Sequence, residues 1–353
     1  MRKKRYISDL IDGDQVDDLF MVKSARLGET RAGKPYLSLV FADRSGEIGG
    51  PAWDNAETLE KICQAGTVVK VHGAVQTYRD KLQMKVGRIE AVPENSYLLN
   101  DFVAASSRDT GSMESELNEL IDAIGNPYLK ELLNTVFTAT DVGSRFLSAP
   151  AAKGIHHAFR GGLLEHSLSM ARVASLLADH YPGVDEDLIV AGALLHDIGK
   201  TVELENEVGV IDYTDVGRLK GHLVIGSEFV ADVAKRIEGF PRELLTHVQH
   251  LILSHHGRQE FGSPVVPMTA EGLLLCFIDD MDAKMSLVQQ LRTKVKSDEP
   301  VWSDYQRSLE RYLLLKPVTR EKGAEKSTPE DRGDDDSKEE RRGGDPVRQH
   351  SLF

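Results

Sequence analysis

The fold of the C-terminal half of this chain is decided by one short stretch, Leu194-Leu195-His196-Asp197-Ile198-Gly199-Lys200. An apolar run leads directly into an adjacent histidine and aspartate, which predicts a helix whose end points an imidazole and a carboxylate inward. Such a pair can offer a nitrogen and an oxygen ligand to the same site. Nitrogen and oxygen ligands without thiolate suit a borderline-to-hard divalent ion, so this stretch predicts a metal site.

Further histidines and aspartates lie on both sides of that stretch. They are His166 after Leu163-Leu164-Glu165, His222 after Gly221, the pair His255-His256, and Asp279 in the run 277–284. A single histidine is more often a core or surface residue than a ligand. A set spread over several predicted helices favours a shared site, because a buried aspartate without a partner costs several kcal/mol.

The ordered pattern LLEHS, HDIGK, GH, HHG and D over residues 150–295 resembles the HD phosphohydrolase superfamily. The resemblance implies that one ion is held by His166, His196, Asp197 and Asp279, with Asp280 as the alternative to Asp279. Members with additional histidines hold a second ion, which the doublet aspartate bridges. His222 and His255 correspond to these histidines, with His256 as the competing choice.

The resemblance also implies the cofactor and the chemistry. One or two divalent ions are expected, Mn²⁺ foremost, with Fe²⁺, Mg²⁺ or Zn²⁺ as alternatives. Asp197 and Lys200 are the predicted catalytic residues, and the ions would activate water for attack on a phosphate ester. Lys200 lies one turn beyond Asp197, where its point charge can reach a non-bridging phosphate oxygen. A solvated lysine at a helix end is the alternative interpretation of Lys200.

The N-terminal region, residues 10–95, predicts a five-stranded barrel. Runs of β-branched and aromatic residues are separated by turn residues, and a helical stretch at 56–63 lies between the third and fourth runs; the runs are 19–27, 36–42, 47–53, 68–75 and 82–92. This order is typical of an OB-fold, which commonly binds single-stranded nucleic acid. Tyr36, Tyr78 and Lys81 are the predicted contacts. Phe41 and Trp53 are interpreted as buried.

Taken together, these patterns predict a multidomain α+β protein. Its OB-fold barrel is followed by an all-α HD domain. Residues 96–150 predict a linker with bridging helices, and residues 151–316 the HD domain. Its helices are predicted at 164–180, 186–198, 222–238, 242–255, 270–294 and 302–315. Residues 317–353 are polar and charged, which predicts a disordered C-terminal tail.

A barrel in front of an HD domain, with HHAFRGGLLEHS at 156–167 and IDDMDAKM at 278–285, resembles the YhaM-type 3′→5′ exoribonucleases over residues 10–315. The resemblance implies removal of nucleotides from the 3′ end of single-stranded RNA, with DNA as a further substrate. An HD hydrolase of small or cyclic nucleotides with a regulatory barrel is the competing hypothesis. His157 and Arg160 are expected to line the substrate path, with a loop that has no function as the alternative.

Composition and the chain end bear on partners and location. The net charge of −13 argues against avid, purely electrostatic binding of polynucleotides but does not decide the partner. Two cysteines far apart and no long apolar run favour the cytoplasm and no membrane span. The final residues 349–353 resemble the peptide by which bacterial proteins dock on the DNA polymerase sliding clamp, with Gln349, Leu352 and Phe353 as its contacts. Barrels and HD domains often self-associate, so a homo-oligomer is an open alternative to a monomer.

Overall fold

The part of the chain described by the computed structural model comprises residues 2–30, 32–79, 81–93, 96–103, 106, 108–152, 159–207, 210–293, 295 and 299–316. His157 lies outside these ranges, as do Gln349, Leu352, Phe353 and the whole predicted tail, 317–353. The predictions made for them stay predictions. Within the described ranges, no helix combines the length and the apolar character that a membrane crossing requires.

The N-terminal unit is a closed barrel of five strands: β1 (Gln15–Glu29), β2 (Pro35–Asp43), β3 (Gly46–Ala52), β4 (Val68–Tyr78) and β5 (Lys81–Ala91). The strand order around the barrel is β1-β2-β3-β5-β4. β1 is long enough to pair with both β2 and β4, and only β3 and β5 meet in parallel among the described strand pairs. Helix α1 (Ala56–Ile62) connects β3 to β4. The predicted OB-fold is confirmed.

Alternate side chains of the strands fill the barrel. Phe20, Phe41 and Met84 are fully buried in its interior, as the two-residue period of a half-exposed strand requires. The outer surface near β1 is covered by Phe102, which packs with Leu19 in a smaller apolar cluster. The segment after the barrel is therefore attached to it by burial of an aromatic ring.

Three helices follow: α2 (Thr110–Ala123), α3 (Pro127–Ala139) and α4 (Asp141–Phe146). The first two begin at capping residues, since the side chain of Asp109 accepts from the Ser112 amide and that of Asn126 from the Tyr128 amide. Pro127 suits the first helical position, where its missing N–H is not needed. The apolar faces of these helices pack in the core of the C-terminal domain.

The C-terminal domain contains α5 (Gly162–His180), α6 (Glu186–Leu195), α7 (Lys200–Glu203), α8 (Asp215–Ala234), α9 (Arg242–Ser254) and α10 (Ala270–Thr293). Every residue of α6 from Leu188 to Leu195 is buried, so this helix is apolar all round and lies at the centre of the domain. A short hairpin of β6 (Leu204–Glu207) and β7 (Val210–Tyr213) joins α7 to α8. The predicted helical domain is confirmed, and this hairpin is an element that the sequence pattern did not reveal.

The start of one helix differs from prediction by several residues. The helix predicted at 222–238 begins earlier, at Asp215, but it is interrupted at Gly221, whose φ of 73° is non-helical. Glycine takes this left-handed conformation without steric cost. The predicted start therefore coincides with the kink, and His222 is the first residue after it.

The helix predicted at 302–315 is wrong. This stretch forms β8 (Val301–Trp302) and β9 (Leu314–Leu315), and the rings of Tyr305 and Tyr312 lie 5.2 Å apart across the hairpin. Leu315 is the one buried residue of 301–316. A helix here would have had no core to cover, so cross-strand pairing of aromatic residues decided the structure instead.

Candidate metal centre

The predicted metal ligands are brought together by the ends of the central helices. His196 and His255 are the residues at which α6 and α9 end, and His222 follows the kink in α8. His166 lies in the second turn of α5, and Asp279 lies in the middle of α10. All of these elements pack on the same apolar core, so residues far apart in sequence converge on one pocket.

The first group of ligand atoms consists of His166, His196 and Asp197, all buried, with Asp279 beside them. The Nε2 atom of His166 lies 3.2 Å from Nε2 of His196 and 3.2 Å from Oδ1 of Asp279. Nε2 of His196 lies 3.3 Å from Oδ2 of Asp197. We call these four residues, His166, His196, Asp197 and Asp279, the first cluster.

The second cluster consists of His222, His255 and His256. Nε2 of His222 lies 3.3 Å from Nε2 of His256. The other oxygen of Asp197, Oδ1, lies 3.4 Å from Nε2 of His222 and 3.5 Å from Nε2 of His255. Asp197 therefore connects the two clusters. Its Oδ2 faces His196 in the first cluster, and its Oδ1 faces the second cluster. Both histidines of the His255-His256 pair face the pocket.

The histidines of both clusters share one arrangement of their two ring nitrogens. Each Nδ1 lies 2.7 to 3.0 Å from an oxygen that can only accept: Oδ2 of Asp282 for His166, the carbonyl of Ala193 for His196, Oε1 of Glu203 for His222, the carbonyl of Ile252 for His255 and the carbonyl of Phe261 for His256. In a neutral ring, an Nδ1–H that donates outward leaves Nε2 with a lone pair directed inward. Lone pairs at these separations repel one another unless a cation lies between them.

The bridging carboxylate gives independent support for a cation. Oδ1 of Asp197 is buried and receives no hydrogen bond from the described residues. An unsatisfied buried acceptor costs about 1–3 kcal/mol, and more when it is charged. A divalent ion at the second cluster would satisfy this atom. Imidazole nitrogens with carboxylate oxygens are a donor set that divalent transition ions prefer, so these residues fit a divalent metal.

The electrostatics of the pocket favour the ligand-competent forms. Burial lowers the pKa of His255 and of His256, which keeps both rings neutral. Burial opposes ionisation of Asp197 and Asp279, but the charge of Lys200 holds the pKa of Asp197 well below its usual range, and the hydrogen bond from His166 lowers the pKa of Asp279. Both carboxylates are therefore ionised, as metal binding requires.

His166 is the exception among the histidines. Burial alone would lower its pKa, but the hydrogen bonds to Asp279 and Asp282 outweigh burial and raise the pKa to about 9. Without an ion, a proton on His166 would balance the charge of these two aspartates. With an ion present, the ring must release that proton before Nε2 can coordinate.

Two residues that hold the ligands in place were not predicted. Asp282 accepts from Nδ1 of His166 at 2.7 Å and from the hydroxyl of Ser169, and Glu203 accepts from Nδ1 of His222 at 3.0 Å. Asp282 could have been found, because it lies three residues after Asp279 on the same helix face. Glu203 carries no such signal, since only the β6–β7 hairpin and the kink at Gly221 bring it to His222.

The rival aspartate, Asp280, also lines the pocket, but it has a different partner. Its side chain is 60% exposed and pairs with Lys284, whereas that of Asp279 is 20% exposed and faces His166. Lys200 lies 2.6 Å from Oδ2 of Asp197 through its Nζ atom, with most of its side chain buried. The predicted lysine is thus part of the pocket and is not a solvated helix end.

The metal centre opens into a cavity of about 390 Å³, a size typical of small-ligand sites. Its described lining includes Lys200, the second cluster and Asp279, together with the aromatic residues Tyr213 and Phe261. Arg160 is exposed and lies outside the described lining. Its backbone carbonyl accepts from the amide of Ser106 at 3.1 Å.

The barrel presents a separate aromatic surface. The rings of Tyr36 and Trp53 lie 5.0 Å apart, and Trp53 is 48% exposed. Burial was expected for both Phe41 and Trp53, and it holds only for Phe41. Trp53 follows the last residue of β3, where the alternation that buries Phe41 no longer applies, so its ring covers Tyr36 from outside. Tyr78 and Lys81 are also exposed and pair across the β4–β5 turn.

The comparisons with known proteins agree with this architecture. Residues 163–284 match the family model described as HD domain, and residues 21–92 match the one described as OB-fold nucleic acid binding domain. The fold and the paired clusters define an HD-domain protein with a nucleic-acid-binding barrel, a class that depends on a divalent metal.

Curated relatives extend the likeness over most of the chain. The 3′-5′ exoribonuclease YhaM of Geobacillus sp. (strain WCH70) is 35% identical over 309 residues, which are 87% of this chain and 93% of that protein. The protein of the same name from Bacillus subtilis (strain 168) is 36% identical over 307 residues, covering 87% and 96%. The chain belongs to the YhaM family of 3′-5′ exoribonucleases. The second OB-fold domain of replication protein A from Methanococcus maripaludis is 23% identical and covers 27% of this chain and 98% of its own, with a TM-score of 0.22.

Proposed function

We propose that this protein is a metal-dependent 3′→5′ exonuclease that hydrolyses phosphodiester bonds of single-stranded RNA, with DNA as a further substrate. The observation that carries the proposal is the carboxylate of Asp197 between two groups of inward-facing imidazoles. The site adjoins a cavity of nucleotide size, and a nucleic-acid-binding barrel lies in the same chain. Membership of the YhaM family supports the direction and the substrate.

The proposal assigns His166, His196, Asp197 and Asp279 to one ion. It assigns His222, His255 and His256 to a second ion, with Asp197 shared. Nitrogen-rich sites favour Mn²⁺, Fe²⁺ or Zn²⁺ over Mg²⁺, which prefers oxygen ligands. Divalent ions held by these residues would lower the pKa of bound water and neutralise charge on the phosphate.

The residues of the chain have separate tasks in this reaction. Asp197 keeps the two clusters at a fixed distance from each other, since each of its oxygens faces a different cluster. Lys200 supplies a buried positive charge beside Asp197 and at the wall of the cavity, where it can contact a non-bridging phosphate oxygen. Asp282 and Glu203 fix the rings of His166 and His222 through their Nδ1 atoms.

The barrel is proposed to hold the strand behind its 3′ end. Trp53 stacked on Tyr36, together with Tyr78, offers aromatic faces, and Lys81 offers a cation for the backbone. Arg160, exposed just before α5, and His157 are proposed as contacts on the approach to the cavity. The aromatic surface compensates for the acidic net charge, because stacking does not depend on it.

One assay tests the proposed function. Single-stranded RNA and DNA oligomers labelled at the 5′ end are incubated with the protein and Mn²⁺, and with a chelator. The expected result is a ladder that shortens from the 3′ end, absent with chelator and in Asp197→Asn, and retained in Asp179→Asn, an exposed aspartate of α5. Intact oligomers beside hydrolysed mononucleotides or cyclic nucleotides would overturn the proposal in favour of a small-nucleotide hydrolase.

Partners and location complete the proposal. Docking of Gln349, Leu352 and Phe353 on the sliding clamp predicts that the full chain, but not a 1–347 truncation, retains the clamp in a pull-down; equal recovery would disprove it.

The buried free thiol of Cys63 and the free Cys276 suit the reducing cytoplasm. Self-association stays a prediction, which light scattering of the purified chain tests.

A further inference from the structure

We infer that Tyr213 and Phe261 form a stacking subsite for the base of the nucleotide whose phosphate lies at the metal centre. Both rings line the cavity that the second cluster also lines. The inference deepens the proposed exonuclease function, because it names the part of the terminal nucleotide that these residues bind. The ligand class is a nucleoside 5′-monophosphate, either as the 3′-terminal residue or as the released product.

The exposure of the two rings is the first observation. Tyr213 is 38% exposed and Phe261 is 65% exposed, and both line the cavity together with the half-buried His222 and His256. Aromatic rings left partly open at the wall of a cavity are typical of ligand sites, where the ligand completes their burial. The cavity of about 390 Å³ leaves room for a base beside the rings.

The second observation is that the backbone at each aromatic residue is linked to a histidine of the second cluster. The carbonyl of Phe261 accepts the Nδ1–H of His256 at 2.9 Å. Tyr213 lies opposite Leu204 in the β6–β7 hairpin, and Leu204 directly follows Glu203, which holds His222. The backbone positions of the two aromatic residues are therefore set relative to His222 and His256.

The third observation is a guanidinium beside each ring, of which that of Arg218 also pairs with Asp212 at 2.9 Å. The guanidinium of Arg218 lies 5.7 Å from the centre of the Tyr213 ring, and that of Arg258 lies 6.0 Å from the centre of the Phe261 ring. Arginine beside an aromatic ring is the pairing that single-stranded nucleic-acid sites use for base and backbone together. Stacking is tolerant of sequence, because every base has a π face. The subsite therefore predicts weak preference among the four bases.

The test compares ligands with and without a base. Binding of AMP and of ribose 5-phosphate is measured by calorimetry with Mn²⁺, in the full-length protein and in Tyr213→Leu and Phe261→Leu. AMP should bind the variants roughly 5- to 150-fold more weakly, the range for one stacked base, while binding of ribose 5-phosphate stays the same. Tyr181→Leu, an exposed tyrosine outside the cavity lining, is the matched control and should behave as the parent.

Conservative variants separate stacking from folding. Tyr213→Trp and Phe261→Tyr keep an aromatic face and should keep AMP affinity, and the Mn²⁺ affinity of the leucine variants should equal that of the parent. Equal losses for AMP and ribose 5-phosphate, or no loss for either, would overturn the subsite.

Turnover assays distinguish this inference from the proposed function. With RNA oligomers, the leucine variants should raise KM for a 3′-terminal nucleotide and leave KM unchanged for a 3′-terminal abasic residue, with kcat little affected in either case. A parent protein that leaves oligomers intact but binds AMP through the two rings would refute the exonuclease and keep the subsite. A parent that shortens oligomers equally well with either end would keep the exonuclease and refute the subsite.

Discussion

One carboxylate oxygen of Glu203 accepts two hydrogen bonds from His222, one from its backbone amide and one from Nδ1, both at 3.0 Å. Glu203 is buried at the end of α7, and His222 is the first residue after the kink in α8. The same contact therefore caps the resumed helix and sets the ring so that Nε2 faces Asp197. The position and tautomer of one proposed metal ligand, His222, depend on a residue that is nineteen positions away in sequence.

Replacement of Glu203 should weaken metal binding at the second cluster. Loss of an acceptor behind a ligating histidine typically costs about 10- to 100-fold in metal affinity, so Glu203→Ala should lower Mn²⁺ affinity by that factor. Glu203→Gln keeps an acceptor oxygen and should lose less. Calorimetric titration with Mn²⁺ measures both, with the exposed neighbour Glu205→Ala as control. A lower melting temperature with unchanged Mn²⁺ affinity would show a purely structural role.

The choice between the adjacent aspartates of α10 is testable directly. Asp279→Asn should reduce activity by at least about 100-fold, because a ligated ion contributes several kcal/mol to the transition state. Asp280 lines the cavity, but its carboxylate is exposed and pairs with Lys284. Asp280→Asn therefore removes an exposed ion pair worth about 0–1 kcal/mol, and it should change kcat/KM by less than about 5-fold. The reverse ranking in an oligonucleotide assay would place Asp280 at the metal.

Metal should stabilise the folded chain. Mn²⁺ at about 100 times its Kd is expected to add about 2.7 kcal/mol to the free energy of unfolding, since the unfolded chain lacks the converged ligands. Asp197→Asn should lose most of this gain, because Asp197 faces both clusters. The shift is measured by thermal unfolding with Mn²⁺ and with chelator, and Asp179→Asn serves as the matched control. An equal gain in both variants would argue that the ion binds elsewhere.

The barrel surface can be followed by fluorescence. The chain has two tryptophans, Trp53 on the barrel and Trp302 in the C-terminal hairpin, so Trp302→Phe isolates the signal of Trp53. Addition of a single-stranded RNA oligomer should quench that signal, because a stacked base covers the exposed ring. Trp53→Phe, which leaves Trp302, should show little quenching. Quenching of Trp302 alone would show that the RNA binds near the C-terminal hairpin and not on the barrel.

The sequence by itself determined the two architectures and predicted most of the residues that meet at the candidate site. Strand alternation in the barrel and helical periodicity around His166 and His196 are local patterns, because burial of one face follows directly from residue spacing. The order of histidines and aspartates along these helices was enough to indicate a metal site. The helix predicted at 302–315 was wrong because it rested on a local pattern alone. The residues there had no core to pack against.

Only the tertiary structure decided how the site is completed. Asp282 reaches His166 across 116 positions of sequence, and Glu203 reaches His222 because of a hairpin and a glycine kink. The preference for Asp279 over Asp280, the inward face of both His255 and His256, and the exposure of Trp53 also depend on packing. Helix propensity and residue spacing act over a few positions, whereas hydrogen bonds that orient ligands form between whichever groups the folded core brings together.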